Sequence, residues 1–439
     1  MVLIILCFIE KVFSYKQRVS FMSKYIIKGG KKAEGKVRIN GAKNSALPIL
    51  AASVLCNKCI IHNCPGLTDV KAALDILNHL GSKYKKESNT IVLDNSNIVN
   101  DDIPDDLMRE MRSSIVFLGA IVSRCKSAKI SYPGGCELGP RPIDMHISAM
   151  KKFGVSITET GGYLECKVKD KLKGAVIHFP FPSVGATENA MITAVNAQGN
   201  TIIYNGAREP EILDLADFLN KCGAEISIDK TGTIYIAGVS KLCGEAEHTV
   251  ISDRVEAATF LSIAAVTKGE IMLNKAKAEH LISVLPVFEE MGCYIKTSQD
   301  GIYIKGTEKL RAPKLIRTMP YPGFPTDMQA PLMASAIVAE GTSVFVENIF
   351  ESRYKHVAEL IRMGANIKTE GKVAIVTGVD KLHGATVRCT DLRGGAAICI
   401  AALNTEEPTT VYEINHIERG YENFDGNLKS LGLEIKRER

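Results

Sequence analysis

Along the chain, stretches that are apolar on nearly every side alternate with shorter patterned ones in a fixed order. The apolar stretches are "KNSALPILAASVL", "RSSIVFLGAIVSR", "GATENAMITAVNAQG", "DRVEAATFLSIAAVTKG", "DMQAPLMASAIVAEG" and "DLRGGAAICIAAL". A surface helix keeps a polar face, so these predict six buried helices. A short β run comes after the buried helix, as in "NTIIYN", "GEIMLN" and "TSVFVEN". A second helix then ends at a glycine and the start of a strand: "ILNHLGSKY", "AMKKFGVSI", "FLNKCGAEI", "VFEEMGCYI", "LIRMGANI" and "LKSLGLEI". Glycine is the expected stop because it adopts the left-handed conformation without a Cβ clash.

These glycines, Gly81, Gly154, Gly223, Gly292, Gly364 and Gly432, recur at intervals of 68 to 73 residues. The chain therefore reads as an α/β protein built from six repeats of one unit. Buried helices with strands outside them imply sheets that face solvent on one side.

Composition narrows the function. At 439 residues with 46% hydrophobic content, there is enough material for two or more domains. A formal net charge of +5 is too small for this length to announce nucleic acid, but it suits small anionic substrates. The 12 cysteines form no dense framework and fall mostly in apolar contexts such as "AAICIAAL", so they are expected to be reduced thiols of a cytoplasmic protein. The first apolar run, Val2 to Ile9, is too short to span a bilayer and lacks a signal cleavage site. Residues 1 to 21 are expected to be a leader outside the fold, with Met22 beginning the first strand.

The polar residues sort by position in the repeat. Lys43, Arg112, Asp327 and Arg393 fall at or near the start of a buried helix, and Cys136, Arg141, Arg353 and Arg419 follow the next short strand. One charge there is ordinarily a cap or a solvated side chain. Several cations brought to helix starts and adjoining loops by different repeats suggest an anion site.

In "GAKNSALPILAASVL", "MRSSIVFLGAIVSR", "PGGCELGPRPIDMH", "SVGATENAM", "AREPEILDLADFL", "YPGFPTDMQA", "DLRGGAA" and "IERGYE" the chain closely resembles the UDP-N-acetylglucosamine 1-carboxyvinyltransferase family, of the EPSP synthase superfamily. The resemblance runs from about Ser23 to the C-terminus. It implies a two-domain inside-out α/β barrel with three repeats per domain. One domain would hold residues 22–42 and 251–439, the other 43–250. Substrates would bind in a cleft that closes around them.

The resemblance also implies the reaction. The enolpyruvyl group of phosphoenolpyruvate moves to the 3-hydroxyl of UDP-N-acetylglucosamine by addition and elimination, releasing phosphate and opening peptidoglycan precursor synthesis. Such chemistry needs an acid, a base and cations. Cys136, on its glycine-rich loop, matches the general acid toward the methylene carbon, which also forms a covalent adduct and is alkylated by the epoxide fosfomycin. Nearby Arg141 would favour its thiolate. Asp327 matches the base facing the acceptor hydroxyl, with Asp391 in reserve. Lys43, Asn44, Arg141 and Arg419 match the phosphoenolpyruvate contacts, and Arg353 and Arg393 a supporting or carboxylate-binding role.

Arg112, Arg141, Pro142, Ile143, Asp144, Met145, Ser183, Val184, Gly185, Asp327 and Ile349 match the nucleotide-sugar contacts. The sequence departs from the pattern at Phe181 and Pro182, where a basic residue can stand. Two other readings compete. A shikimate 3-phosphate transferase shares the fold but does not use a loop cysteine in this role, and a catalytically idle UDP-sugar-binding relative would lack the need for Cys136, Asp327, Lys43 and Arg419 together.

No organic cofactor or metal is expected, nor a membrane or nucleic-acid partner, and the expected state is a monomer. "CNKCIIHNC" offers Cys56, Cys59, His62 and Cys64 as zinc ligands. As a strand it would put Cys59 on one face and His62 with Cys64 on the other, and no phosphate-loop or dinucleotide fingerprint occurs in a strand-to-helix context.

Overall fold

The computed structural model describes residues 23–134, 143–242 and 244–438. The proposed leader, Cys136, Arg141 and Pro142 lie outside these residues. All six repeat glycines have positive φ, from 81° at Gly432 to 110° at Gly81. The expected helix stops are therefore real left-handed turns.

Five of the apolar stretches form the helices Lys43–Ser53, Val184–Ala194, Arg254–Val266, Thr326–Ala336 and Leu392–Ala402. The remaining stretch begins as a 3-10 turn, Arg112–Val116, and continues as the α-helix Phe117–Cys125. Their residues are buried almost throughout, as all-round apolarity requires.

The strands form six separate four-stranded sheets among the described residues. Each contains one parallel pair at an edge and two antiparallel pairings. The barrel is thus one of packing, helices inside and sheets outside, without a closed hydrogen-bonded cylinder. In the last repeat the sheet joins strands that lie far apart in the sequence. Lys24–Lys28 pairs antiparallel with both Thr409–Tyr412 and Glu434–Glu438.

Buried side chains divide into two cores. One gathers residues between Ala46 and Val250, and the other joins Tyr25–Ile39 to Val255–Ile435. The chain passes between these bodies twice, at neighbouring points. Ala42 N donates to Ile251 O at 2.7 Å, and Asp253 N to Asn40 O at 2.8 Å. Gly41 lies in this crossing, where an added Cβ would stand 1.7 Å from the Asn63 carbonyl oxygen. Only glycine fits so close an approach.

Candidate active site

A cleft of about 550 Å³ lies between the two bodies. Of the residues singled out in the sequence, it brings together Lys43, Asn44, Arg112, Met145, Ser183, Val184, Gly185, Asp327, Ile349, Arg353, Asp391, Arg393 and Arg419. Ile143 and Asp144 do not line it. Ile143 turns into the core, while Asp144 opens the helix Asp144–Lys152 on the exposed side.

The buried helices deliver their first turns to the cleft, and two share an unusual feature. Pro48 and Pro331 occupy the same place, the sixth residue, of Lys43–Ser53 and Thr326–Ala336. Proline has no N–H to give to the carbonyl four residues earlier. Those carbonyls belong to Asn44 and Asp327, so each of these residues sits in a turn released from its helical bond.

Two carboxylates organise the charge. Asp69, in the first turn of the helix Thr68–Leu80, accepts from Lys43 Nζ at 3.2 Å and from Arg419 Nε at 2.9 Å. Lys43 and Arg419 belong to different cores, so this one carboxylate joins the bodies. Burial works against its charged form, but Lys43 and Arg419 outweigh burial and hold its carboxyl below the ordinary range.

Asp327 is the second. It is not the helix cap, which is Pro325. Arg353 Nη2 donates to Asp327 Oδ1 at 3.0 Å, and Arg393 Nε stands 3.8 Å from Oδ2. Both guanidiniums are buried, whereas the Asp327 side chain keeps 29% exposure to the cleft. Arg393 also lies over the Tyr421 ring, 5.1 Å from its centroid. Asp391 does cap its helix, accepting from the amides of Arg393 and Gly394. Burial opposes its charge too, and Arg353 is foremost among the groups that hold its carboxyl low nonetheless.

On the opposite wall, Ser183 caps Val184–Ala194 by accepting from Ala186 N. A Cβ on Gly185 would meet the His146 ring at 3.2 Å, so the glycine admits that imidazole. Asn189 Nδ2 donates to His146 Nδ1, and burial followed by the charge of Arg112 pushes the histidine down to about 4. It is neutral at pH 7.

Sequence reasoning missed Asp69, Glu188, Glu209, Glu211, Arg254 and Tyr321, which also line the cleft. Arg254 Nε donates to Glu211 Oε1 at 2.9 Å across the two bodies and lies over the Tyr321 ring. Glu188 is pushed up to about 8 by burial, then by Glu211 and Glu209. The two carboxylates of "AREPEI", Glu209 and Glu211, are the available signal in the sequence. The strand around "CNKC" differs slightly from expectation as well. Cys59 faces inward and His62 outward, but Cys64 lies past the strand end and returns to the core after Asn63, whose φ is 53°.

The EPSP synthase (3-phosphoshikimate 1-carboxyvinyltransferase) family matches residues 27–428. UDP-N-acetylglucosamine 1-carboxyvinyltransferase 2 of Caldanaerobacter subterraneus is 49% identical over 95% of this chain and the whole of that protein. UDP-N-acetylglucosamine 1-carboxyvinyltransferase 1 of Symbiobacterium thermophilum is 46% identical, over 94% of this chain and 95% of the relative. Among solved structures, the enolpyruvyl transferase NikO of Streptomyces tendae superposes with a TM-score of 0.87 at 24% identity, covering 95% of this chain and 99% of that one. EPSP synthase of Acinetobacter baumannii gives 0.72 at 19% identity, covering 95% and 100%. At these identities the two structures share the fold.

Proposed function

The chain belongs to the UDP-N-acetylglucosamine 1-carboxyvinyltransferase family, within the wider EPSP synthase family, and we propose that it transfers enolpyruvyl from phosphoenolpyruvate to the 3-hydroxyl of UDP-N-acetylglucosamine. The observation that carries this reading is the convergence of Lys43 and Arg419, from opposite bodies, on one carboxylate-sized spot in the cleft that Asp327 also lines. Two cations so placed suit a phosphate, and a partly exposed carboxylate backed by buried arginines suits a hydroxyl proton.

In this reading Asp327 takes the proton of the acceptor hydroxyl as its oxygen bonds to C2 of phosphoenolpyruvate, and Cys136 supplies a proton to the methylene carbon. The tetrahedral adduct then loses a proton from the new methyl group while the C–O bond to phosphate breaks. Lys43, Asn44, Arg141 and Arg419 bind the phosphorylated end. Arg353 and Arg393 hold Asp327 or meet the carboxylate. Arg112, Ser183, Val184, Gly185, Ile349 and the segment from Arg141 to Met145 take the nucleotide sugar, with Met145 the member of Ile143–Met145 that reaches the cleft.

We take residues 22–42 with 251–439 as one domain and 43–250 as the other. The division of the cores supports this, and binding between them would couple closure to catalysis. The product would enter peptidoglycan precursor synthesis in the cytoplasm. Among the described residues no helix is long and apolar enough to cross a membrane.

Phosphate release from phosphoenolpyruvate by the purified protein tests the proposal. Release is expected with UDP-N-acetylglucosamine and not with shikimate 3-phosphate. The reverse result would change the acceptor, and silence with both would favour an idle sugar-binding protein. Fosfomycin is expected to inactivate the enzyme with an adduct on the Cys136 peptide; inactivation without that adduct would remove Cys136 from its role.

A further inference from the structure

The helical segment that carries Arg112 changes type where a side chain from another repeat enters it. The 3-10 turn Arg112–Val116 gives way to the α-helix Phe117–Cys125, and Asn189 reaches this junction from Val184–Ala194. Gly119 N donates to Asn189 Oδ1 at 2.8 Å, and Asn189 Nδ2 donates to Ile115 O at 2.8 Å. An uninterrupted α-helix joins those two backbone groups to each other, so the amide is spliced into the ladder. A Cβ on Gly119 would stand 2.7 Å from Asn189 Oδ1 and 2.6 Å from Thr193 Oγ1, so the glycine makes room for it.

These bonds fix more than the helix. A backbone N–H only donates and a carbonyl only accepts, which settles the orientation of the Asn189 amide. The second Nδ2 hydrogen then goes to His146 Nδ1, 2.8 Å away. Nδ1 must accept, so the proton of the neutral imidazole lies on Nε2. Among the described residues nothing bonds to Nε2, although His146 is only 7% exposed. The ring lies against the first turn of Val184–Ala194, with Nε2 3.4 Å from where a Gly185 Cβ would be, and lines the cleft with Arg112, Ser183 and Val184.

We propose that His146 is a binding residue for the nucleotide sugar, giving its Nε2–H to a diphosphate oxygen, and that Asn189 is the positioning residue that selects this tautomer. The identity of the ligand rests on the transferase reading above. The place suits an anionic oxygen. The amides of Val184 and Gly185 open the helix and have no intrahelical partner. Arg112 is near enough that its charge, after burial and against Asp144, helps push the imidazole down to about 4. A neutral donor adds a hydrogen bond to the anion without another buried charge.

Heteronuclear spectra of protein carrying isotope-labelled histidine test both parts, with His146→Gln identifying the resonance. In the free protein at pH 7 the His146 proton is expected on Nε2, and UDP-N-acetylglucosamine or UDP should move its resonance downfield. Asn189→Asp, which can only accept, should draw the proton to Nδ1. By calorimetry, His146→Phe is expected to weaken UDP-N-acetylglucosamine binding roughly 10- to 100-fold, the scale of a lost hydrogen bond to a charged group. His146→Gln, whose amide can place a donor near Nε2, should stay within about threefold of wild type. A proton on Nδ1 in the free wild type would overturn the role of Asn189. An Nε2 proton left unmoved by bound UDP-N-acetylglucosamine, or equal losses of affinity in the two His146 variants, would overturn the role of His146. If the wild type binds no UDP-N-acetylglucosamine, the acceptor assigned above fails and the ligand named here with it, while the tautomer still decides for or against Asn189. If a variant fails to fold, the wild-type spectra decide.

Discussion

Asp69 and Asp327 each stand between two cations, yet their surroundings differ in kind. Asp69 is 5% exposed and takes its partners from opposite bodies; Asp327 is 29% exposed and takes both from its own. The first carboxylate occupies a place where a substrate anion would be attracted, and its ion pairs hold the cleft together. The second is gripped from behind and faces the cleft. Similar ion pairs thus serve connection in one case and presentation in the other.

The sharpest way to break this comparison is to remove presentation. Asp327→Asn is expected to lower kcat for phosphate release about 1,000-fold, within the usual range for a lost acid–base group, while nucleotide-sugar binding measured by calorimetry stays within about threefold. Equal losses in binding and turnover would mean that Asp327 connects as Asp69 does. Asp69→Asn is the reciprocal test. With its charge gone from between Lys43 and Arg419, inorganic phosphate should inhibit roughly tenfold more tightly. Weaker inhibition would show that Asp69 orients those cations for the anion.

Glu188 supplies the control, a buried cleft carboxyl with neighbouring acids in place of cations. Its folded pKa of about 8 lies above the unfolded value, so stability falls as pH rises from the ordinary carboxylate range to about 8. Glu188→Gln should therefore raise the melting temperature by a few degrees at pH 8 and leave it unchanged near pH 4. A gain of equal size at both values would remove ionisation as the cause. The smallest effect concerns Asp69 again. Its pKa is depressed, so its contribution to stability is present above the unfolded value and lost as pH falls through the folded one. The gap in melting temperature between wild type and Asp69→Asn should close below about pH 4.

Much of the fold was legible because its signals are local. A glycine ending a helix, or a helix apolar on all sides, is readable within a dozen residues, and the six repeat glycines do occupy left-handed turns. Arg112 was harder, since nothing nearby distinguishes a 3-10 start from an α-helical one. The site was legible where resemblance supplied motifs, and the cleft does gather Lys43, Asp327 and Arg419. Asp69 was not, because "LTDVKAAL" reads as an ordinary acidic first turn. Its meaning comes from Arg419, 350 residues away. Arg254 and Glu211 pose the same difficulty: either alone reads as a surface charge, and only folding makes them a buried pair.

The antiparallel pairing of Lys24–Lys28 with Thr409–Tyr412 and Glu434–Glu438 bears on how the molecule is made. During synthesis this strand leaves the ribosome roughly 380 to 410 residues before its partners. At roughly 5 to 20 residues per second, its unpaired edges wait for something like 20 to 80 seconds. The core between Ala46 and Val250 is complete in sequence long before then. One half of the cleft can thus assemble while the strand that precedes it is still without a sheet, and Glu434–Glu438 completes that sheet long after its partner was made.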